Sequence, residues 1–315
     1  YKKIKNGDIN IIVGTHAIIQ ENVLFKNLGL TIIDEQHKFG VEQRKKLIQK
    51  GNNPNILAMT ATPIPRTLAF TIHGDMEISW IDEMPQNRQQ IITKMINCNK
   101  ITDVYKNMRE QMDKGNHCYI VYPIISESEK IDAKSAETAF LNLKKNELKD
   151  YKLGFMHGKL KKEEKDNLMN CFINGEIECL ISTTVVEVGI DNPKASIMVI
   201  ENAERFGLTQ LHQLRGRIGR GNIASTCFLI QRKITSNSEL RLKIMESTSD
   251  GFKIADEDLK IRGPGDFFGT KQHGYIKLGL INFYSDGPII KRARLNAFEI
   301  IQKDSTLCLS KNVLL

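Results

Sequence analysis

Short apolar runs of strand length recur along this 315-residue chain, and most of them are apolar at nearly every position. They are Ile9 to Val13, Leu30 to Ile33, Ile56 to Met59, Tyr119 to Ile124, Leu153 to Met156, Cys179 to Ser182, Ile197 to Ile200 and Cys227 to Ile230. A strand apolar on both sides has no face to show to water, so it belongs inside a parallel sheet covered by helices. The segments between the runs carry the helical period that such a cover needs. Ile101, Val104, Tyr105, Met108 and Met112 mark one helix face that stops at Gly115; Leu168, Met169 and Phe172 mark another that stops at Gly175. The fold class expected is therefore α/β with parallel sheets.

The length accommodates about two cored domains. The break falls at Asp82 to Arg88, a polar stretch with a proline that separates two α/β series. Near Ser247 the alternation ends and Gly251, Gly263, Gly265, Gly269 and Gly274 crowd together, before a closing helix from Pro288 to Lys303. The expected divisions are 1–88, 89–246 and 247–315. No apolar run approaches the roughly 20 residues that cross a bilayer. The six cysteines form no CxxC pair and no ligand spacing, so they are read as reduced structural thiols of a cytosolic protein. A net charge of +8 favours a polyanionic partner, and the stretch Gln210 to Lys233 holds five basic residues and no acid.

The chemistry concentrates at strand ends. The strand at Leu30 to Ile33 runs into Asp34 and Glu35. At the carboxyl edge of a parallel sheet in a nucleotide hydrolase, Asp34 can hold Mg²⁺ directly or through water, and Glu35 can orient or deprotonate the attacking water. About 25 residues on, the strand at Ile56 runs into Thr60, Ala61 and Thr62. Parallel neighbours end on one edge, so these hydroxyls can sense the γ-phosphate beside the acids. Further on, Gln213, Arg217 and Arg220 fall in Gln-x-x-Gly-Arg-x-Gly-Arg. Two arginines three apart on a helix share a face and can grip phosphate oxygens as arginine fingers across a cleft.

These segments resemble motifs II, III and VI of the superfamily 2 helicases, and Ile181 to Asp191 resembles motif V. Narrower strings resemble the RecG family and its relative, the transcription-repair coupling factors: Asp34 to Arg44, Thr60 to Thr67 and Glu201 to Arg215. Arg262-Gly-Pro-Gly265 within Asp250 to Gly274 has the RecG form of the translocation motif, and Tyr122 to Glu129 is similar to RecG as well. The resemblance covers nearly the whole chain. It implies two RecA-like lobes, the first incomplete, with a C-terminal helical and loop segment for translocation.

For function it implies an ATP- and Mg²⁺-dependent helicase or translocase on branched double-stranded DNA, at replication forks and Holliday junctions, working as a monomer in the bacterial cytosol with no membrane attachment. His37, Thr60, Thr62, Glu187, Gly189 and Asp191 would serve the nucleotide. Gly14, Thr15, His16, Thr183, Thr184, Arg262, Lys271 and Gln272 would contact DNA or couple hydrolysis to movement. One departure is Leu214, where many superfamily members carry an arginine; Arg215 follows it. No G-x-x-x-x-G-K-[ST] phosphate loop occurs in the chain. The resemblance implies that this loop and a DNA-splitting wedge domain precede Tyr1, and that the chain alone does not hydrolyse ATP efficiently. An RNA helicase, since Asp-Glu-x-His boxes occur in that group, and a catalytically inactive nucleic-acid-binding half are the alternative readings.

Overall fold

In the computed structural model the described residues are 1–35, 39–62, 76–85, 89–123, 129–183, 192–262 and 286–308. They fall into two compact units, Tyr1–Pro63 and Ile64–Leu315.

The N-terminal unit holds α1 (Lys2–Asn6), β1 (Leu30–Ile33), α2 (Val41–Ile48) and β2 (Asn55–Ala58). β1 and β2 pair in parallel, Leu30 with Asn55 through Ile33 with Ala58. Ile33 packs with Ile19, Leu47 and Phe39 beneath the sheet, while Leu30 and Ile32 on the other face stay exposed. The strand expected at Ile9 to Val13 does not form. Ile11 and Val13 are exposed, and among the described residues β1 and β2 are paired only with each other. An extended segment becomes a strand only where a ladder takes up its amides and carbonyls.

The second unit is built on a six-stranded parallel sheet in the order β3-β8-β7-β4-β6-β5. In chain order it runs β3 (Ile92–Asn97), α3 (Ile101–Met112), β4 (His117–Val121), α4 (Glu129–Lys145), β5 (Leu153–Met156), α5 (Lys162–Asn174), β6 (Cys179–Ser182), β7 (Ala195–Ile200), α6 (Leu208–Arg215) and β8 (Thr226–Gln231). Helices α7 (Ser236–Ser247), α8 (Gly251–Arg262) and α9 (Gly287–Lys303) follow. Central strands β4, β6 and β7 are buried at every position, the outcome their largely apolar sequence dictates. Edge strands β3 and β5 are only partly buried, and β3, whose apolar residues are interrupted by Thr93 and Lys94, was not among the expected strands.

Each face of this sheet has its own core. Cys118, Ile120, Ile181, Val199 and Ile230 meet Val104, Met108 and Met112 of α3 and Leu143 of α4. Tyr119, Val121, Met198, Ile200 and Leu229 meet Phe172 of α5, Leu211 and Leu214 of α6, Met245 of α7 and Ile254 of α8. The period-two alternation of the strands thus splits one set of apolar runs between two helical layers. α5 ends at Gly175 in the left-handed region, φ 85°, where a side chain would be strained. Within the region read as loop-rich beyond Ser247, Gly251–Arg262 is helical: Phe252, Ile254, Ala255, Leu259 and Ile261 recur at helical spacing, and Ile254 joins the core.

Candidate nucleotide and nucleic-acid site

The two sequence clusters at the ends of β1 and β2 do come together. The ladder ends with Ile33 opposite Ala58, and the Met59 amide continues it by donating to the Ile33 carbonyl at 2.8 Å. Asp34 and Glu35 therefore leave the sheet on the same edge as Thr60 and Thr62. Asp34 is exposed and half its carboxylate is engaged, Oδ1 accepting from the Glu35 amide at 2.8 Å. Glu35 sits at φ 50°, a backbone state that non-glycine residues hold only where surroundings enforce it, and one that clusters at functional sites. The Thr60 hydroxyl accepts from the Thr62 amide at 3.1 Å, closing a tight turn that fixes the Thr60 side chain. His37 lies outside the described residues.

Gly14, Thr15 and His16 lie not at a strand end but at the start of a short 3₁₀ turn, His16–Ile19, with Thr15 at its N-cap position. The His16 ring stacks on Phe39, centroids 4.6 Å apart.

In the second unit, α6 carries Gln213. The helix begins at Gly207, whose amide donates to the Gln210 side chain at 3.1 Å, and buries Leu208, Leu211 and Leu214. It ends at Arg215. The arginines expected on one helix face instead lie beyond it: Gly216 caps the helix and Arg217 and Arg220 occupy the turn that follows. The turn needs its glycines for shape. Gly219 is at φ 68°, and a Cβ on Gly221 would lie 2.5 Å from the Pro193 carbonyl oxygen. Arg220 Nε donates to the Gly216 carbonyl at 3.1 Å, folding the exposed Arg220 back over the helix end. Gln213 and Arg217 are half-buried.

Arg215, directly after Leu214, is the most deeply embedded cation of this region, 3% exposed. Its Nη1 donates to the carbonyls of Met245 (2.9 Å) and Thr248 (2.8 Å) and to the Thr93 hydroxyl (3.2 Å), and Nη2 meets His212 Nδ1 at 3.1 Å. The last carbonyls of a helix have no partner within it and carry the negative end of its dipole. A guanidinium there is satisfied by backbone oxygens in place of a carboxylate, and it ties α6 to the end of α7. Burial first, then the neighbouring Arg215 charge, press the His212 pKa down to about 4. A neutral imidazole can accept from Arg215.

Leu214 is core. Thr183 is buried just past β6, its amide donating to the Met156 carbonyl at 3.1 Å. Thr184, Glu187, Gly189, Asp191, Lys271 and Gln272 lie outside the described residues, and Arg262 closes α8 with its side chain outside the description.

Fold and motif order define a helicase motor of the DEAD class. Residues 1–70 match the DEAD/DEAH box helicase model and residues 97–222 the helicase conserved C-terminal domain. Residues 248–315 match a narrower model, ATP-dependent DNA helicase RecG, domain 3, C-terminal. The chain belongs to the RecG family. It is 48% identical over 297 residues to the ATP-dependent DNA helicase RecG of Thermotoga maritima, covering 94% of this chain and 38% of that protein. Against RecG of Bacillus subtilis it is 45% identical over 304 residues, 96% of this chain and 45% of the relative. A structure of RecG bound to a three-way DNA junction aligns with 92% of this chain and 37% of its own length, at 45% identity and TM-score 0.71. A helicase MrfA structure bound to DNA and AMPPNP shares the fold at 17% identity and TM-score 0.51, over 75% of this chain and 36% of its own. The chain thus spans about two-fifths of the RecG proteins it matches.

Proposed function

We propose that this chain is the part of a RecG-type motor that hydrolyses ATP and moves on branched double-stranded DNA, remodelling replication forks and Holliday junctions as a monomer in the bacterial cytosol. The observation that carries the reading is the 45% identity to the junction-bound RecG over 92% of the chain. No helix among the described residues is long and apolar enough to cross a membrane.

In this reading 1–88 contributes to the first lobe, 89–246 forms the second, and 247–315 is the translocation segment. Asp34 and Glu35 of the first lobe and Gln213, Arg217 and Arg220 of the second serve the same nucleotide. Among the described residues no three potential metal ligands cluster, and Mg²⁺ fits without such a cage. It takes one or two carboxylates and completes its shell with water and phosphate, a role that exposed Asp34 suits. Bound Mg²⁺ and ATP supply the phosphoryl group and neutralise its charge.

The protein's part is positional. Glu35 holds and polarises the attacking water, Thr60 and Thr62 with His37, Glu187, Gly189 and Asp191 hold the nucleotide, and the two arginines stabilise charge that develops on the phosphoryl oxygens. Gly14, Thr15, His16, Thr183 and Thr184 bind the DNA backbone, whose phosphates accept from amides and hydroxyls; Arg262, Lys271 and Gln272 couple turnover to movement. The chain by itself turns ATP over poorly.

The test uses the intact protein on three-way junctions of DNA and of RNA with matched sequence. ATP-dependent unwinding of the DNA junction alone is expected. Equal unwinding of RNA would favour an RNA helicase, and junction binding with no ATP turnover an inactive binding half.

A further inference from the structure

Residues 76–85 precede β3 and have no regular secondary structure. Backbone of this kind has no ladder to hold it and goes where its side-chain anchors go. Those anchors do not belong to the sheet that the chain is about to enter. Trp80 meets Phe252 of α8 edge to face, ring centroids 5.4 Å apart and planes at 80°, the geometry in which the positive ring edge meets the negative face. Arg294 of α9 donates from Nη2 to the Met76 carbonyl at 2.5 Å, while its guanidinium lies 5.4 Å from the centroid of the Phe298 ring one helical turn on. Just downstream, the Gln90 side chain reaches Ser249 Oγ, between α7 and α8, at 3.4 Å, and the Met95 amide of β3 donates to Glu246 of α7 at 3.0 Å. Contacts from α7, α8 and α9 thus grip one stretch of chain, across 151 or more residues of sequence.

We propose that Trp80 and Arg294 are positioning residues that fasten the segment 76–85 to the C-terminal helices, so that movement of α8 and α9 and movement of the peptide leading to β3 are one event. The inference rests on the motor reading above and adds to it a second mechanical link, on the chain entering the sheet. α8 and α9 both lie within 247–315, the segment read above as the translocation segment. A displacement of that segment on DNA is therefore passed through Phe252 to Trp80, and a displacement of 76–85 during the ATP cycle is passed the other way. Hinge-type motors work by such paired anchors, in which a few contacts at element ends decide what moves together.

Trp80 is the sole tryptophan, so its fluorescence reports this contact without labelling. In the 315-residue chain, Phe252→Ala is expected to shift Trp80 emission to longer wavelength and to increase its quenching by acrylamide, as is Arg294→Ala to a smaller degree. Emission unmoved by Phe252→Ala overturns the fastening. In the intact protein, Trp80→Ala is expected to keep DNA-stimulated ATP hydrolysis within about twofold while junctions unwound per ATP fall about tenfold, because misplacement rather than loss of chemistry is at work. Trp80→Phe, which keeps a ring edge, should restore most of that ratio. The double variant Trp80→Ala, Phe252→Ala should be no worse than either single one, as for two residues acting through one contact. Equal loss of hydrolysis and unwinding, or an unchanged ratio, overturns the coupling role. An intact protein that is inactive with its native residues would sink the motor reading and the coupling with it, whereas an emission change in the short chain would still show the fastening.

Discussion

Arg215 and His212 make a buried pair of unusual composition, a guanidinium answered by backbone carbonyls and by an imidazole that must stay neutral. Truncating Arg215 to alanine leaves the Met245 and Thr248 carbonyls without their donor, and buried groups so orphaned cost about 1–3 kcal/mol each. Arg215→Ala should therefore lower the urea midpoint of this chain by an amount equivalent to about 2–4 kcal/mol. Arg215→Lys should recover little, since one ammonium cannot reproduce the planar fork. His212 supplies a pH signature. Its pKa is about 4 in the folded chain against an ordinary 6.5, so the unfolded state takes up the proton first as pH falls. The contribution of a neutral His212 is complete above pH 6.5 and is lost progressively as pH drops towards 4. Arg215 and Asp250 act on the same group with opposite sign. Urea unfolding at pH 7 and pH 5 should show a loss that His212→Asn largely abolishes; an identical pH dependence in the variant would remove His212 as its source. Neither residue announced itself in the sequence beyond a basic side chain one place from its usual position, because burial against a helix end is a property of packing.

Among the elements, the strands of the larger sheet were legible where they are central and hidden where they are marginal. Tyr119 to Val121 and Cys179 to Ile181 are apolar throughout because both faces are covered, and the helix stops at Gly115 and Gly175 follow from left-handed glycines. β3 escaped notice because an edge strand keeps polar residues such as Lys94. Ile9 to Val13 has strand-like composition but no ladder neighbour among the described residues, which no local pattern reveals. Arg217 and Arg220 were placed on a helix by their spacing, whereas Gly216 and Gly219 end it and turn it.

Two substitutions test the element-level account. Phe172 of α5 is fully buried and touches the rings of His117 and Tyr119. Phe172→Ala should cost about 3–5 kcal/mol by chemical unfolding, and a cost below about 1 kcal/mol would mean that α5 is not held by this core. Gly221→Ala forces a Cβ against the Pro193 carbonyl, so in the intact protein it should cut ATP hydrolysis sharply by displacing the neighbouring Arg220. Unchanged hydrolysis would show that the turn has slack.

At the scale of the molecule, the motif order that reads as a helicase motor agrees with the family matches along the chain and with a RecG structure at TM-score 0.71. The acids and hydroxyls of β1 and β2 were expected on one sheet edge because parallel strands end together, and they are found there. The contact between Trp80 and α8 could not be foreseen, since residues 172 positions apart by number are joined only by the fold. The role proposed for Glu35 is to activate water beside Asp34. The most direct measurement is DNA-stimulated ATP hydrolysis by the intact protein carrying Glu35→Gln, with nucleotide binding followed in parallel. Nucleotide affinity should stay close to that of the unaltered protein while hydrolysis slows by about 10²-fold or more; hydrolysis near the unaltered rate would contradict the proposed role.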